Sequence, residues 1–138
     1  MAVVEKRAYI KEVGLAPRKV SVVAALVRGR SVADALTILD NTPRRAAGAV
    51  KKAIESAKAN LLNVASIDTK TITIKTISVT AGSRLRRYKP ASRGRALPFA
   101  KKMSNILVVV EGNEKVKKAT PKVDPKQGES KPKKAEDK

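Results

Sequence analysis

Between Ser83 and Lys102 the chain carries eight basic residues, Arg84, Arg86, Arg87, Lys89, Arg93, Arg95, Lys101 and Lys102, and no acid. Guanidinium groups offer planar, bidentate contacts to phosphate, and ammonium groups offer point charges. A run of one sign has no internal counter-charge, so its natural complement is a dense polyanion. Ala91, Ser92, Gly94 and Ala96 lie among these charges and keep the segment thin. Gly94 also admits positive φ at a turn. The pattern suits a narrow path between phosphate strands, and nucleic acid is the expected partner.

Other chemistry finds little material. The chain has no Cys and no His, which removes disulfides, zinc sites, thiol nucleophiles and imidazole bases together. The acids ahead of the C-terminal tail are Glu5, Glu12, Asp34, Asp40, Glu55, Asp68 and Glu111. They are scattered, and several fall where caps or turns would use them. The phosphate-loop pattern GxxxxGK is absent. The expectation is a protein with no catalytic residues, no cofactor, no metal and no small-molecule substrate. No apolar run approaches the length of about 18 residues that a membrane span needs. The segment Met1-Ala2-Val3-Val4-Glu5-Lys6-Arg7 lacks the apolar centre of a secretory signal. A cytoplasmic location is the default, and an organellar form that had lost a transit peptide would read the same way.

The elements that must carry the basic segment are legible from periodicity. Val3, Val4, Tyr9 and Ile10 among charges predict a first strand over 3–12. Pro17 suits the first helical position, with Val20, Val23, Ala24 and Val27 as the buried stripe and Gly29 as the stop. Ala16 precedes it without a capping side chain. Ser31-x-x-Asp34 resembles a capping box for a short second helix with Ala35, Leu36 and Leu39 inward. Thr42 is expected to cap, and Pro43 to open, a long third helix with the stripe Ala46, Val50, Ala53, Ile54, Ala57 and Leu61. Beyond Asn63 the period changes. Ile72 and Ile74 alternate, as do Ile77 and Val79, but one residue out of phase, which predicts a β-bulge near Lys75-Thr76. The unbroken run Ile106 to Val110 predicts a strand buried on both faces, ended by Gly112.

The fold class that follows is α+β: three helices on a small antiparallel sheet with one long extended β-hairpin, plus a disordered C-terminal tail. The expected domain spans 1–112, with the hairpin at about 80–105 and the Lys/Pro-rich tail at 113–138. Of a net charge of +19 the tail holds +4 and the body +15, so the basicity belongs mainly to the folded part. From Thr80 to a tip near Gly94 the arm could reach roughly 40 Å. Pro90 and Pro98 argue for an irregular loop along its outer part. Arg18, Lys19, Arg28 and Arg30, clustered at helix ends, are further candidate RNA contacts. The three aromatics, Tyr9, Tyr88 and Phe99, are too few for a platform of stacked bases, so contact through phosphates and shape is expected.

Several segments, taken in order, resemble the bacterial form of the large-ribosomal-subunit protein family called L-twenty-two. They are Pro17-Arg18-Lys19-Val20, Leu26-Val27-Arg28-Gly29, Lys51-Lys52 with Glu55-Ser56-Ala57, Arg93-Gly94-Arg95-Ala96 and Lys101 to Ile106. The resemblance implies a structural protein that binds large-subunit rRNA, supports subunit assembly and neighbours other large-subunit proteins. It implies that Arg84, Arg86, Arg87, Lys89, Lys101 and Lys102 lie among rRNA strands. It also implies that the tip, Ser92, Arg93, Gly94 and Arg95, lines the exit tunnel beside the nascent polypeptide. This chain has Pro90-Ala91-Ser92 where the family often has Pro-Arg-Ala, one charge fewer near the tip. Composition alone would also fit a histone-like DNA-binding protein, although such proteins insert apolar wedges at arm tips. A membrane-surface protein fits less well, because the Ala/Val-rich helix faces lack Trp.

Overall fold

Val20, Val23, Ala24 and Val27 recur at helical spacing, and all four are fully buried. They form the inner stripe of α1 (Pro17–Val27), which Pro17 opens and Gly29, at φ 72°, follows. In the computed structural model, which describes residues 3–64, 67–69 and 71–113, two more helices follow. These are α2 (Val32–Asp40) and α3 (Arg45–Val64). The strands are β1 (Val3–Val13), β2 (Thr73–Pro90) and β3 (Ala96–Asn113). They make one antiparallel sheet in the order β1-β3-β2. The helices cover one face of it, with α3 across β1 and β3 and α1 against β2. The α+β architecture matches the expectation. The tail expected to be disordered lies outside the described residues, apart from Asn113.

The helix ends show where local signals suffice. Ser31 caps α2: its hydroxyl accepts the Asp34 N–H at 3.2 Å and donates to the Asp34 carboxylate at 2.8 Å. Ala16 makes no side-chain cap, as anticipated. Thr42 differs. Its hydroxyl donates backwards to the Ile38 carbonyl at 2.6 Å, so it satisfies the C-terminal end of α2 instead of opening α3. Pro43 is then a linker residue, and α3 starts at Arg45. The expected stripe of α3 is buried throughout, with Ala47 added. Each fully buried Val, Ile or Leu here contributes on the order of 1.5–3 kcal/mol.

The expected bulge is present, because the β2–β3 register shifts between Ile74 and Thr76. It lets Ile74 and Ile77 both face the helices. The open edge of β2 is covered by the α1–α2 link. There the Gly29 N–H donates to the Ile74 carbonyl at 3.2 Å, the Ile74 N–H to Arg30 at 3.0 Å, and the Val32 N–H to Ile72 at 3.0 Å. Two strand expectations need correction. Within the run Ile106 to Val110 only the alternate residues Ile106, Val108 and Val110 are fully buried, while Leu107 and Val109 are half-buried. The strand is central in the sheet, yet the helices cover a single face. Gly112 does not end β3. It pairs with Val4, and Leu61 and Ile67 pack against its bare backbone.

The arm departs most from expectation. Beyond a second register shift between Ala81 and Arg84, β2 and β3 stay paired from Arg84↔Lys102 to Pro90↔Ala96. The outer part is a ribbon, not an irregular loop. The reason is parity. The Ala91 N–H donates to the Arg95 carbonyl at 2.8 Å. Hydrogen-bonded and non-hydrogen-bonded pairs alternate from there. Pro90, opposite Ala96, and Pro98, opposite Tyr88, therefore both fall where the N–H position faces outward. No ladder bond is missing. Seven pairs at about 3.3 Å each give a free ribbon of roughly 23 Å.

Candidate nucleic-acid interface

Cross-strand partners share a face, so the register sorts the arm's cations. Arg84, Arg86 and Lys102 lie on one face and Arg87, Lys89 and Lys101 on the other. All six are exposed. The ribbon can therefore meet phosphates on both sides at once. Among the described residues the ion pairs are Lys51–Asp40 at 2.6 Å, and Lys75 with Glu5 and, at 4.0 Å, with Glu111. None involves the arm, whose charge finds no partner among them.

At the tip, Ser92–Gly94 makes a short turn closed by a 3.4 Å bond from the Arg95 N–H to the Ser92 carbonyl. Arg93 at φ 58° and Gly94 at φ 69° supply the two positive φ values that a type I′ hairpin turn requires. The glycine was expected to do this. The arginine was not, since a side chain in that conformation costs roughly 1–2 kcal/mol. Ser92, Arg93, Gly94 and Arg95 are all exposed, so the tip presents charge and little bulk.

The helix-end candidates divide. Arg18 joins Arg84 and Lys102 around a cleft of about 240 Å³, whose other walls are Ala16, Pro17, Ala81, Gly82 and Met103. This brings α1 and both strands of the hairpin root to one cationic place. No acid occupies the first turn of α1, so the positive end of its helix dipole adds to the potential there. Lys19 is exposed on the next helical position. Arg28 is partly committed, donating to the Ile77 carbonyl at 3.2 Å along the edge of β2. Arg30 donates to the Leu26 carbonyl at 3.1 Å and caps α1. Their charges remain at the surface, but both side chains also hold structure.

Lys51 and Lys75 are raised above the ordinary lysine value, chiefly by their hydrogen bonds to Asp40 and Glu5 respectively. Such pairing keeps both lysines charged and partly neutralised. They contrast with the arm, which has no ion pair among the described residues. Residue chemistry did not single out Leu85, Leu97 and Phe99. Phe99 and Leu97 are exposed and Leu85 is half-buried, all between cations. Strand parity along 84–102 was the signal that could have found them. Among the described residues no group of three His, Cys, Asp or Glu gathers to hold a metal. No described helix is long and apolar enough to cross a membrane.

A compact helix-on-sheet body with an uncompensated cationic ribbon defines a polyanion-binding protein that works by shape and charge. Comparison with known proteins makes this specific. The family described as "Ribosomal protein L22p/L17e" matches residues 8–111. The chain is 41% identical over 106 residues to "Large ribosomal subunit protein uL22" of Syntrophobacter fumaroxidans, covering 77% of this chain and 96% of that one. It is 43% identical over 108 residues to the protein of that name from Myxococcus xanthus, covering 77% and 95%. The protein of that name from Herpetosiphon aurantiacus is 39% identical over 110 residues, covering 80% and 97%. This chain belongs to the L22p/L17e family of ribosomal proteins.

Proposed function

We propose that this protein is a structural constituent of the large ribosomal subunit that binds large-subunit rRNA and supports assembly, without catalysis of its own. The observation that carries the reading is the paired arm with exposed cations on both faces and no acid partner among the described residues. A ribbon of this kind fits between RNA strands, where each face meets phosphate. The family's ribosomal description supports the partner class: rRNA first, then neighbouring large-subunit proteins, on ribosomes in the cytoplasm. In this reading the tip, Ser92 to Arg95, lines the tunnel beside the nascent polypeptide. Its exposure, with small Ser92 and Gly94 between two arginines, supports that placement. Arg18, Arg84 and Lys102 anchor the hairpin root, with Lys19, Arg28 and Arg30 as flanking contacts.

The test is binding of the full chain to a large-subunit rRNA transcript across a salt series. Replacing Arg86, Arg87, Arg93 and Arg95 with Gln should weaken binding. The slope of log affinity against log salt should fall by roughly 0.9 for each duplex phosphate that the variant no longer neutralises. An unchanged slope would show that the arm meets no phosphate. Equal affinity for duplex DNA in competition would favour a DNA-compacting role instead.

A further inference from the structure

On one face of the arm every rung pairs an apolar side chain with a cation. The register Leu85↔Lys101, Arg87↔Phe99 and Lys89↔Leu97 puts these six on the same side of the ribbon. The apolar members are poorly covered: Phe99 keeps 42% and Leu97 60% of its surface exposed. The Lys89 Nζ stands 5.1 Å from the centroid of the Phe99 ring, a cation–π contact. The opposite face lacks this alternation. Its rungs are Arg84↔Lys102, Arg86↔Ala100, Tyr88↔Pro98 and Pro90↔Ala96.

The chemistry of this face narrows its occupant. An apolar protein surface laid on it would strip water from Arg87, Lys89 and Lys101 without offering anions, which is costly. A duplex gripped through phosphates alone would leave Phe99 and Leu97 facing water. An unstacked nucleotide supplies both halves, a flat apolar base and a phosphate. The ring is already holding a cation that a base would displace and a phosphate would take up.

We propose that this face binds an unpaired nucleotide of the RNA, its base stacked on Phe99 beside Leu97 and its phosphate held by Arg87, Lys89 and Lys101. This deepens the rRNA-binding reading above and rests on it. It also revises the expectation from composition that the chain has no stacking surface. That expectation looked for a platform of several rings, whereas a single base needs only one exposed ring with cations beside it.

The experiment measures the full chain against a large-subunit rRNA transcript over the same salt series. Phe99→Ala should weaken binding by about 5- to 150-fold, the range of one base–aromatic stack removed, at every salt concentration and with an unchanged slope. Arg87→Gln should instead lower the slope by about 0.7, the single-strand value. The chain has no Trp, so Phe99→Trp introduces a single tryptophan that can be excited apart from Tyr9 and Tyr88, and base stacking should quench it when the transcript is added. Wild-type affinity for Phe99→Ala, or unquenched emission from bound Phe99→Trp, would overturn the stacking proposal while leaving the phosphate reading intact. Absence of rRNA binding by the wild-type chain would instead overturn the reading beneath it.

Discussion

Two glycines show how differently one residue type can act. A Cβ on Gly112 would stand 2.8 Å from Ile67 Cγ2 and 3.2 Å from Leu61 Cδ2. The nearer atom belongs to a β-branched side chain with little room to yield. Gly112→Ala should therefore destabilise the body by about 1–3 kcal/mol. Thermal unfolding would show this as a drop of roughly 4–8 °C per kcal/mol. At Gly94 nothing lies within 4 Å of such a Cβ, but φ is +69°. Gly94→Ala should strain only the turn, leave the melting temperature nearly unchanged and loosen the tip. Ser31→Ala removes both halves of the α2 cap and should cost about 1 kcal/mol, read by the same melting experiment.

At the scale of elements, body and arm are energetically separate. Among the described residues the buried ones lie in the helices, in β1, at Ile67 and Ile72, and in the inner parts of β2 and β3; none lies between Gly82 and Met103. Replacing residues 86–100 with Asn-Gly, joined across the Leu85–Lys101 pair, should leave the melting temperature within a few degrees. It removes Arg86, Arg87, Lys89, Arg93 and Arg95, and the salt slope for rRNA should fall by up to about 4.5. An isolated two-stranded ribbon is marginal in water. Amides between Arg84 and Lys102 should exchange quickly in the free protein and become protected once rRNA is bound. Loss of the folded body on this replacement would show that the arm stabilises the core after all.

For the whole molecule, charge is the governing property and pH hardly touches it. No His or Cys is present to titrate near neutrality. Among the described residues the perturbed groups are Lys51 and Lys75, both raised by their carboxylate partners. A raised lysine contributes stability that is fully present below its unfolded value and is lost as pH rises through the folded one. Stability and rRNA affinity should therefore be flat from about pH 6 to 9, while affinity falls steeply with salt. A sharp pH dependence of affinity in that window would contradict a purely cationic interface.

The features legible from residue order alone are those that local physics governs. The stripes of α1 and α3, the Pro17 start, the Ser31 cap and the bulge beside Lys75 all depend on spacing and on neighbours a few residues away. The concentration of charge at 83–102 was equally plain, because charge needs no partner to be counted. Long-range packing settled which way Thr42 bonds, that β3 is covered on one face, and that Gly112 lies beneath Ile67. It also decided that Pro90 and Pro98 fall at outward positions of a paired ribbon, and that cations alternate with Leu97 and Phe99 on one side. Each depends on a register between residues far apart in the chain, and a shift of one residue exchanges the two faces of a strand.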